Sequence, residues 1–417
     1  MFRHGKRNQA RRRPAARAGG VQRITMLLEN NPYPQDVRVR SEAQSLVAAG
    51  HRVEVIAPRL SGQRARERVD GVEVRRFHAI DGTGQGLAGL LLEYLVAIVA
   101  LHLAALSALT RGSTVLHIHN PPDAFFLAGG MFRLAGRRVV FDHHDLGPEL
   151  VEVKFRRSAL VAAARISERL TFAAATHVLA ANESHAAIAL ERGRKRPDEV
   201  TVVRNGPPAS WTRLPLNVRP GRLSPIRLAY VGAVAEQDGV DALAEVLAAL
   251  RDRTPPVPAL LTVVGDGDGR PSLEAALARL GLAGCVTLTG WVKPERVPEL
   301  LRDADVCVDP APGTVLNQRS TMIKLAEYLA LGKPVVAFDL LETRRTVADA
   351  AMLAPTGNMC AFAERIAMLA EDPELRRGLA QRARERAGEL TWEHSEAALL
   401  AAYSGFARDG ELERDSG

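Results

Sequence analysis

The sequence predicts an α/β protein built from two doubly wound, Rossmann-like domains with parallel sheets, and three observations support this prediction. The chain has 417 residues, a length that suits two domains of ordinary size. Both halves alternate short apolar runs with helical patterns, as parallel strands joined by helical crossovers do. Residues 206–225 contain five prolines and little periodic pattern, so they are predicted to form a linker between the halves.

Composition places the excess positive charge in the N-terminal tail. The net charge is +7, yet residues 1–20 contain seven Lys or Arg and no acid, which leaves 48 bases against 48 acids elsewhere. The folded part is therefore neutral, and nothing in its composition indicates a nucleic-acid-binding domain. The tail has no apolar core, so we interpret it as disordered and not as a secretory signal. Contact with an anionic membrane surface and an idle segment are both open interpretations of it.

The cysteines indicate a reducing cytoplasm. Cys285, Cys307 and Cys360 are widely spaced and form no CxxC pair. We therefore expect free thiols, with neither a disulfide framework nor a zinc site.

The first half begins with a strand–helix–strand unit. Residues 24–28 and 53–57 are predicted strands, and a helix over 40–49 ends at Gly50. A further strand is predicted over 72–77. The polar loop between the first strand and the helix contains Asp36 and Arg38.

The most apolar segment covers residues 87–109 and is interrupted by Glu93 and His102. Its 23 residues are long enough to span a bilayer. However, the predicted strand at 115–119 belongs in the same sheet as that at 53–57, and a span would separate the two. The segment is therefore predicted to be a buried or interfacial helix.

Polar residues follow the next strands. A strand over 139–142 leads into His143, His144 and Asp145, and strands over 177–181 and 200–204 complete the first sheet. Ligand residues of doubly wound sheets lie just beyond the carboxyl ends of the strands. Two adjacent histidines that merely cap a strand are the alternative. A zinc pair is disfavoured, because adjacent residues on a strand point to opposite faces.

The second half repeats the same alternation. Strands are predicted over 226–232, 286–292, 305–309 and 335–339, and a helix over 242–250. The run LTVVGDGDGR at 261–270 nearly matches the dinucleotide fingerprint, but Arg270 stands where its last glycine is required. We interpret its DGD string as turn chemistry and not as a metal site.

The stretch from residue 309 to residue 339 carries the strongest chemical signal. Ser320 or Thr321 is predicted to cap a helix that ends before Gly332. A helix start beside Arg319 and Lys324 suits a phosphate group. Glu327, one turn further, suits a ribose, because a carboxylate accepts two hydroxyl hydrogen bonds. The alternative is a surface helix with a local Lys–Glu pair.

Within this stretch, EYLALGKPVVA resembles the donor-nucleotide motif of the retaining family-4 glycosyltransferases (glycosyl transferases group 1), which have the GT-B fold. DVRVRSEAQSLVAAGHRVEVIAP, FDHHDLGPE and RNGPP resemble other segments of that family. The resemblance implies two Rossmann-like domains that face a cleft. An acceptor-binding domain would cover residues 21–205 and a nucleotide-sugar-binding domain residues 226–389, with a helix over 390–406 that crosses back to the first domain.

The resemblance also implies roles for individual residues. Glu327 would hold the nucleotide ribose and His144 would lie near the donor sugar, and together with Lys324 they form the predicted catalytic set. The remaining implied contacts are to the donor (Gly232, Trp291, Val292, Arg319, Ser320, Thr321, Glu342) and to the acceptor (Asp36, Arg38).

Three positions depart from the family pattern. Arg319 stands where the family has a first glutamate, and Ala233 and Asp238 stand where many members have an arginine and a lysine. A diphosphate still needs positive charge in a cleft that closes around it. The prediction is that Arg319 and Lys324 supply this charge, the first by bidentate contacts and the second as a point charge.

The function that the resemblance implies is transfer of a sugar, with retention, from a nucleoside diphosphate sugar to a hydroxyl of a glycan or lipid-linked acceptor. The leaving diphosphate would itself help to deprotonate the acceptor, and no cofactor or metal is expected. Synthesis of a cell-surface polysaccharide or glycolipid in the cytoplasm, with peripheral contact to the plasma membrane, is the corresponding expectation. A sugar-nucleotide epimerase of the same fold and a decayed, sugar-nucleotide-binding scaffold are the alternatives. The sequence leaves the base, the sugar and the acceptor open.

Overall fold

The structure is a computed structural model that describes residues 20–79 and 86–415. The predicted tail of residues 1–20 lies outside these ranges except for Gly20. Two separate sheets, one in each half of the chain, organise the described residues.

The N-terminal sheet has eight strands in the order β3-β4-β2-β1-β5-β6-β7-β8. Only the edge pair β3–β4 is antiparallel. The sequence order reverses between β1 and β5, which makes this point the topological switch of the sheet. The strands are β1 (Arg23–Leu27), β2 (Arg52–Pro58), β3 (Arg66–Val69), β4 (Val72–Phe77), β5 (Val115–His119), β6 (Arg138–His143), β7 (His177–Ala180) and β8 (Val200–Val202).

In this half, six α-helices connect the strands among the described residues, and they pack on both faces of the sheet. They are α1 (Val37–Ala48), α2 (Gly86–Thr110), α3 (Phe126–Leu134), α4 (Gly147–Phe155), α5 (Ser158–Ala174) and α6 (Glu183–Glu191). Buried residues of α1 belong to the core on one face, and those of α2, α3 and α5 belong to the core on the other face.

The C-terminal sheet has six strands, all parallel, in the order β11-β10-β9-β12-β13-β14. Its switch point lies between β9 and β12. The strands are β9 (Ile226–Val231), β10 (Ala259–Val264), β11 (Val286–Leu288), β12 (Val306–Asp309), β13 (Val335–Phe338) and β14 (Ala351–Ala354). The helices are α7 (Ala242–Asp252), α8 (Arg270–Arg279), α9 (Val297–Arg302), α10 (Val315–Arg319), α11 (Ile323–Ala330), α12 (Leu341–Val347), α13 (Met359–Glu371), α14 (Pro373–Ala387) and α15 (Trp392–Asp415).

The final helix, α15, returns to the first domain. Trp392 Nε1 donates to Ser45 Oγ of α1 at 3.1 Å, and the Tyr403 hydroxyl lies 2.9 Å from His117 Nδ1 of β5. Because α15 continues to Asp415, the predicted end at residue 406 was too early. The side chains that fix the helix, including Tyr403 and Phe406, belong to the core around α1.

Several predicted boundaries were wrong for local reasons. The first helix begins at Val37 and not at residue 40, because Asp36 Oδ1 accepts from the Val39 N–H as an N-cap. The strand predicted over 286–292 ends at Leu288, before the turn at Gly290. Neither Ser320 nor Thr321 caps α11, since Met322 occupies the N-cap position without a side-chain hydrogen bond. The antiparallel strand β3 and the short helix α10 were not predicted.

The apolar segment forms α2, which is the crossover from β4 to β5 within a single sheet. Ala97, Leu101, Ala105 and Ala108 on one side of α2 are buried against that sheet. Among the described residues, Leu92–Thr110 is the one stretch that is long and apolar enough to cross a membrane by length and composition, and only 28% of it is buried. One side of the helix therefore belongs to the core, and most of the stretch is partly or fully exposed.

Candidate active site

The carboxyl ends of the two sheets face each other. Asn182, just after β7, donates from Nδ2 to the Arg319 carbonyl and to Thr321 Oγ1, each at 2.9 Å. Ser184 Oγ lies 2.6 Å from Glu342 Oε1, which follows β13. These contacts join residues beyond strand ends in both halves. The space between the two sheet edges is therefore a cleft. Doubly wound sheets bind their ligands at this kind of edge, so the cleft is the candidate site.

On the C-terminal side, the ends of three neighbouring strands carry glycine. Gly232 follows β9 and Gly265 follows β10, with φ of +141° and +144°. A Cβ at Gly265 would come within 1.8 Å of the Gly232 carbonyl oxygen. The Gly265 N–H donates to the Gly290 carbonyl after β11 at 3.1 Å. The cleft floor is therefore backbone that a ligand can approach closely.

Lys324 brings a cation to the switch point of this sheet. Its Nζ donates to Tyr230 Oη and to Asp238 Oδ1, each at 2.9 Å, and lies 4.5 Å from the centre of the Tyr230 ring. A Cβ at Gly232 would lie 2.9 Å from Lys324 Cε, so the side chain needs a glycine there. Burial opposes the charge, but Asp309, Tyr230 and Asp238 outweigh it and keep the pKa of Lys324 above its usual value. Lys324 is thus always charged.

The residue at 238 reverses the charge that the resemblance implied. The Asp238 carboxylate, which stands in place of a family cation, is instead the ion-pair partner of Lys324. Asp309 Oδ1 lies 3.7 Å from the same ammonium group, and burial raises the pKa of Asp309 against the pull of Lys324. One cation therefore faces two carboxyl groups at this point.

Glu327 lies one turn beyond Lys324 on α11 and is half-buried. Its carboxylate makes no hydrogen bond or ion pair with any other residue that the structure describes. Burial raises its pKa to about 7, against the opposing charge of Lys324. Because no side chain caps α11, the N–H groups of Ile323 and Lys324 are also open to a ligand, whereas the Leu325 N–H donates to the Met322 carbonyl at 3.0 Å.

The other predicted donor residues have partners within the protein or lie at the rim. Ser320 Oγ donates to the Leu316 carbonyl at 2.9 Å, and Thr321 is held by Asn182. The Arg319 side chain is 43% exposed, with Nη1 3.8 Å from Glu149 Oε1 of α4. The Arg319 side chain therefore extends toward Glu149 of the first domain and not toward Asp238, the ion-pair partner of Lys324.

Glu342 and Trp291 lie in opposite environments. Glu342 is fully buried and accepts from Ser184 and from Arg345 Nη1, both at 2.6 Å, so it joins the two domains. Trp291 is 72% exposed in the turn beyond β11, and Val292 packs partly against the C-terminal core.

On the N-terminal side, His144 is the predicted residue at the cleft edge. Its Nδ1 lies 2.9 Å from Asp142 Oδ2, which leaves Nε2 as a donor toward a ligand. Burial lowers the pKa of His144, but the charge and hydrogen bond of Asp142 outweigh burial and raise the pKa to about 9. His144 is therefore an imidazolium at neutral pH.

Asp142 binds two further groups besides His144. Arg38 donates to it through Nε at 2.8 Å and Nη2 at 2.6 Å, and His119 Nδ1 lies 2.8 Å from Oδ2. Burial opposes ionisation of Asp142, and Arg38 followed by His144 outweighs it, so the pKa stays well below its usual value. Arg38 also donates to the Val203 carbonyl and to Asn205. The two residues predicted to bind an acceptor are both engaged: Arg38 by this network, and Asp36 as the cap of α1.

Four buried side chains beside His144 have donor atoms within 4.8 Å of one another: Glu42, His117, His119 and Asp142. Both Glu42 oxygens and both histidine Nε2 atoms lack a hydrogen-bond partner. Arg38 already lies among these groups, with Nε 3.2 Å from Glu42 Oε1. Because this guanidinium supplies the positive charge, the cluster is an ion-pair network and is a poor fit for a metal ion.

The sequence indicated Lys324, Glu327 and His144 as candidate site residues, but it did not indicate that Asp142 holds His144. One signal was available. In VLHIH, His117 and His119 are two residues apart, which places them on the same face of a strand that ends at the cleft.

Two facing, doubly wound domains with their strand ends around one cleft define the GT-B class of architecture. Family models agree: the glycosyl transferase 4-like domain matches residues 35–206, and glycosyl transferases group 1 matches residues 225–372. Together the two matches cover about three quarters of the chain. The chain belongs to the group 1 glycosyl transferases, as its motifs predicted.

Individual curated relatives share only moderate sequence identity with this chain. The chain is similar to an alpha-D-kanosaminyltransferase of Streptomyces kanamyceticus, with 29% identity over 156 residues (37% of this chain, 39% of the relative). It is 34% identical over 167 residues to a phosphatidyl-myo-inositol mannosyltransferase of Mycolicibacterium smegmatis (40% of this chain, 41% of the relative). These matches therefore span about two fifths of each curated relative.

Among solved structures, Anabaena HepE in complex with UDP-glucose superposes with a TM-score of 0.68. The two sequences are 18% identical, and the match covers 92% of this chain and 99% of the other. At this identity the likeness establishes the fold.

Proposed function

We propose that this protein transfers a hexosyl group from a nucleoside diphosphate sugar to a hydroxyl acceptor in the cleft between its two sheets. The observation that carries the proposal is the pair formed by Lys324 and Glu327 on α11. A fixed ammonium and an unpaired carboxylate lie one turn apart at the switch point of the sheet. Their spacing suits a phosphate and a ribose, which are the two charged or polyhydroxyl parts that every nucleoside diphosphate sugar presents.

The donor's diphosphate would lie over Gly232, near Lys324 and the open N–H groups at the start of α11. Glu327 would accept hydrogen bonds from the ribose hydroxyls. The backbone around Trp291 and Val292 would border the base, and Arg319 would add positive charge from the rim of the cleft. Positive charge close to the diphosphate stabilises the leaving group as its bond to the sugar breaks.

His144 lies on the opposite wall as an imidazolium held by Asp142, and Nε2 would donate to the donor sugar or its phosphate. In the proposed retaining step, the bond from the anomeric carbon to the diphosphate breaks, and a bond to the acceptor oxygen forms on the same face. The acceptor proton passes to the leaving diphosphate. The protein needs no separate base for this step, because it acts by positioning and by charge stabilisation.

The proposed acceptor is a hydroxyl of a glycan or of a lipid-linked glycan, in the synthesis of a cell-surface polysaccharide or glycolipid. Support comes from one relative named as a D-inositol 3-phosphate glycosyltransferase and another named as a phosphatidyl-myo-inositol mannosyltransferase. A cytoplasmic location is proposed because Cys285, Cys307 and Cys360 are all free thiols.

The test begins with a panel of nucleoside diphosphate hexoses and thermal unfolding. A donor at 100 times its dissociation constant stabilises the fold by about 2.7 kcal/mol. The stabilising donor is then incubated with and without polyol and glycan acceptors, and free nucleoside diphosphate and product are measured. Acceptor-dependent release with an unchanged anomeric configuration supports the proposal. Release or isomerisation without acceptor supports the epimerase, and binding without any turnover supports the scaffold.

A further inference from the structure

The outer side of α2 carries a row of exposed aliphatic side chains. Leu92, Leu95, Val99, Leu103 and Leu106 recur at spacings of three and four residues, so they share one side of the helix. Each is between 43% and 63% exposed. From residue 92 onward, no exposed side chain of α2 is charged. A helix on a water-facing surface ordinarily shows the opposite pattern, with polar groups outside.

The apolar surface continues over two neighbouring helices. In the layer that covers this face of the sheet, α3 packs beside α2, and α5 packs beside α3. Leu127 and Leu134 of α3 are 62% and 93% exposed, and Ile166 and Leu170 of α5 are 60% and 43% exposed. We call the outer side of these three helices the α2–α3–α5 surface. Nine large aliphatic side chains exposed on adjacent elements form a patch of the kind that marks an interaction site.

The fully exposed charges of the segment that builds this surface are mostly positive, although half-buried Glu93 lies on α2 and Glu54 pairs with Arg111 at 2.7 Å. Between residues 92 and 174, the only exposed anion is Glu152, and the exposed cations are Arg111, Arg133, Lys154, Arg156, Arg157, Arg165 and Arg169. The basic tail also joins the fold here, because Arg23 at the start of β1 donates to Thr114, four residues beyond the end of α2. An apolar centre with cationic borders complements an anionic lipid surface.

We propose that the α2–α3–α5 surface lies on an anionic lipid bilayer, with α2 in the plane of the interface. A spanning arrangement is excluded by packing, since the inner side of α2 is buried in the core and α2 connects two strands of one sheet. A symmetric dimer through this surface would bring together two copies of the same cation-rich border, which is repulsive. In a bilayer with anionic headgroups, the acyl region would cover the leucines and the headgroups would pair with the arginines.

This inference deepens the proposed function, because it names the membrane surface at which a lipid-linked acceptor would be presented. Both α2 and α3 begin beyond the carboxyl ends of strands, which is the edge of the sheet that borders the cleft. A bilayer against these helices would therefore bring the hydroxyls of its glycolipids to the mouth of the cleft.

The test is co-sedimentation of the full chain with vesicles, without donor or acceptor. Vesicles of phosphatidylcholine mixed equally with phosphatidylglycerol are compared with vesicles of phosphatidylcholine alone. The apolar variant is Leu95→Glu with Leu103→Glu. Its matched control is Met368→Glu with Leu216→Glu, two exposed apolar side chains that lie on α13 and in the linker. The charge variant is Arg165→Glu with Arg169→Glu, matched by Arg279→Glu with Arg377→Glu.

We expect the wild type and both controls to bind the anionic vesicles, and the apolar and charge variants to bind at least about tenfold more weakly. Binding to neutral vesicles should be weak for every protein. Failure of the wild type to bind, or equal binding by the variants and their controls, overturns the inference. A dimer in sedimentation velocity that Leu95→Glu with Leu103→Glu dissolves would instead assign the surface to a second copy. Because no substrate is present, this result is independent of whether the protein transfers sugar.

Discussion

Replacing Asp142 by asparagine is the sharpest perturbation of the site. The carboxylate receives both donors of the Arg38 fork and lies within 2.9 Å of the Nδ1 atoms of His119 and His144. Asparagine keeps the shape but removes the charge and presents an amide donor to groups that are themselves donors. We expect Asp142→Asn to unfold at a lower denaturant concentration and to lose the imidazolium form of His144 near neutral pH.

The size of the effect follows from the charges that Asp142 compensates. Asp142 raises the pKa of His144 from 6.5 to about 9, against the effect of burial. At 1.36 kcal/mol per pKa unit, this net rise corresponds to about 3 kcal/mol, to which the weaker charge effects of Asp145 and Arg38 also contribute. Removing one partner of a buried ion pair costs about 3–5 kcal/mol, which applies to Arg38. The total loss is therefore several kcal/mol, a large part of the stability of an ordinary domain.

The sign of the pH dependence provides an independent check. A histidine with a raised folded-state pKa contributes stability that is fully present below the unfolded value of 6.5 and is lost as the pH rises through about 9. The free energy of unfolding of the wild type should therefore fall across this interval. In Asp142→Asn this contribution to the fall should disappear, because His144 is then neutral throughout.

Two measurements test this: NMR titration of the His144 ring protons, and chemical denaturation at pH 6.5 and at pH 9. The matched control is Asp145→Asn, which makes the same change three residues away at a carboxylate without a hydrogen bond to His144. The control should lower the pKa of His144 less than Asp142→Asn does, because Asp145 raises that pKa by its charge alone, without a hydrogen bond. If His144 still titrates near pH 9 in Asp142→Asn, or if both variants lose the same stability, the assignment of Asp142 as the group that charges His144 is wrong.

Three further outcomes are expected. Glu327→Ala should lower kcat/KM at least about tenfold while the protein stays folded, because a lost hydrogen bond to a charged group costs roughly 1.5–3 kcal/mol. If the variant has wild-type kinetics, Glu327 does not bind the ribose. The pH profile of kcat/KM should rise through about 7 as Glu327 ionises and fall above about 9 as His144 loses its proton; a flat profile would contradict both roles. Lys324→Ala should nearly abolish binding of the bare nucleoside diphosphate, as measured by calorimetry. Arg319→Glu should weaken the same binding, because the new carboxylate lies beside Glu149. If Arg319→Glu binds with unchanged affinity, Arg319 is only a solvated residue at the rim of the cleft.

The absence of a metal requirement also remains a prediction. Activity with the stabilising donor should be the same before and after treatment with a chelator, because Arg38 supplies the positive charge within the Glu42–His117–His119–Asp142 cluster. Elemental analysis of the purified protein provides the direct measurement. Stoichiometric metal, together with activity that a chelator removes and the metal restores, would contradict this prediction.

The sequence by itself determined the architecture and indicated two candidate donor-site residues on α11. Apolar runs separated by helical patterns identify parallel strands, and Lys324 and Glu327 lie three positions apart on one helix. These signals are local, because strand and helix periodicity and the spacing of neighbours on a helix depend on residues close in the chain. The position of His144 at the end of a strand is a local signal of the same kind.

Only the tertiary structure decided how these residues are charged and held. Arg38 and Asp142 are 104 residues apart, and Lys324 and Asp238 are 86 apart, so no spacing in the sequence pairs them. The same holds for Glu342, whose contact with Ser184 joins the two domains, and for the α2–α3–α5 surface, which separate helices build together. Composition indicated that the segment of α2 is apolar apart from Glu93 and His102. Which side of α2 meets the core and which side stays exposed depended on where the strands on either side of it pair.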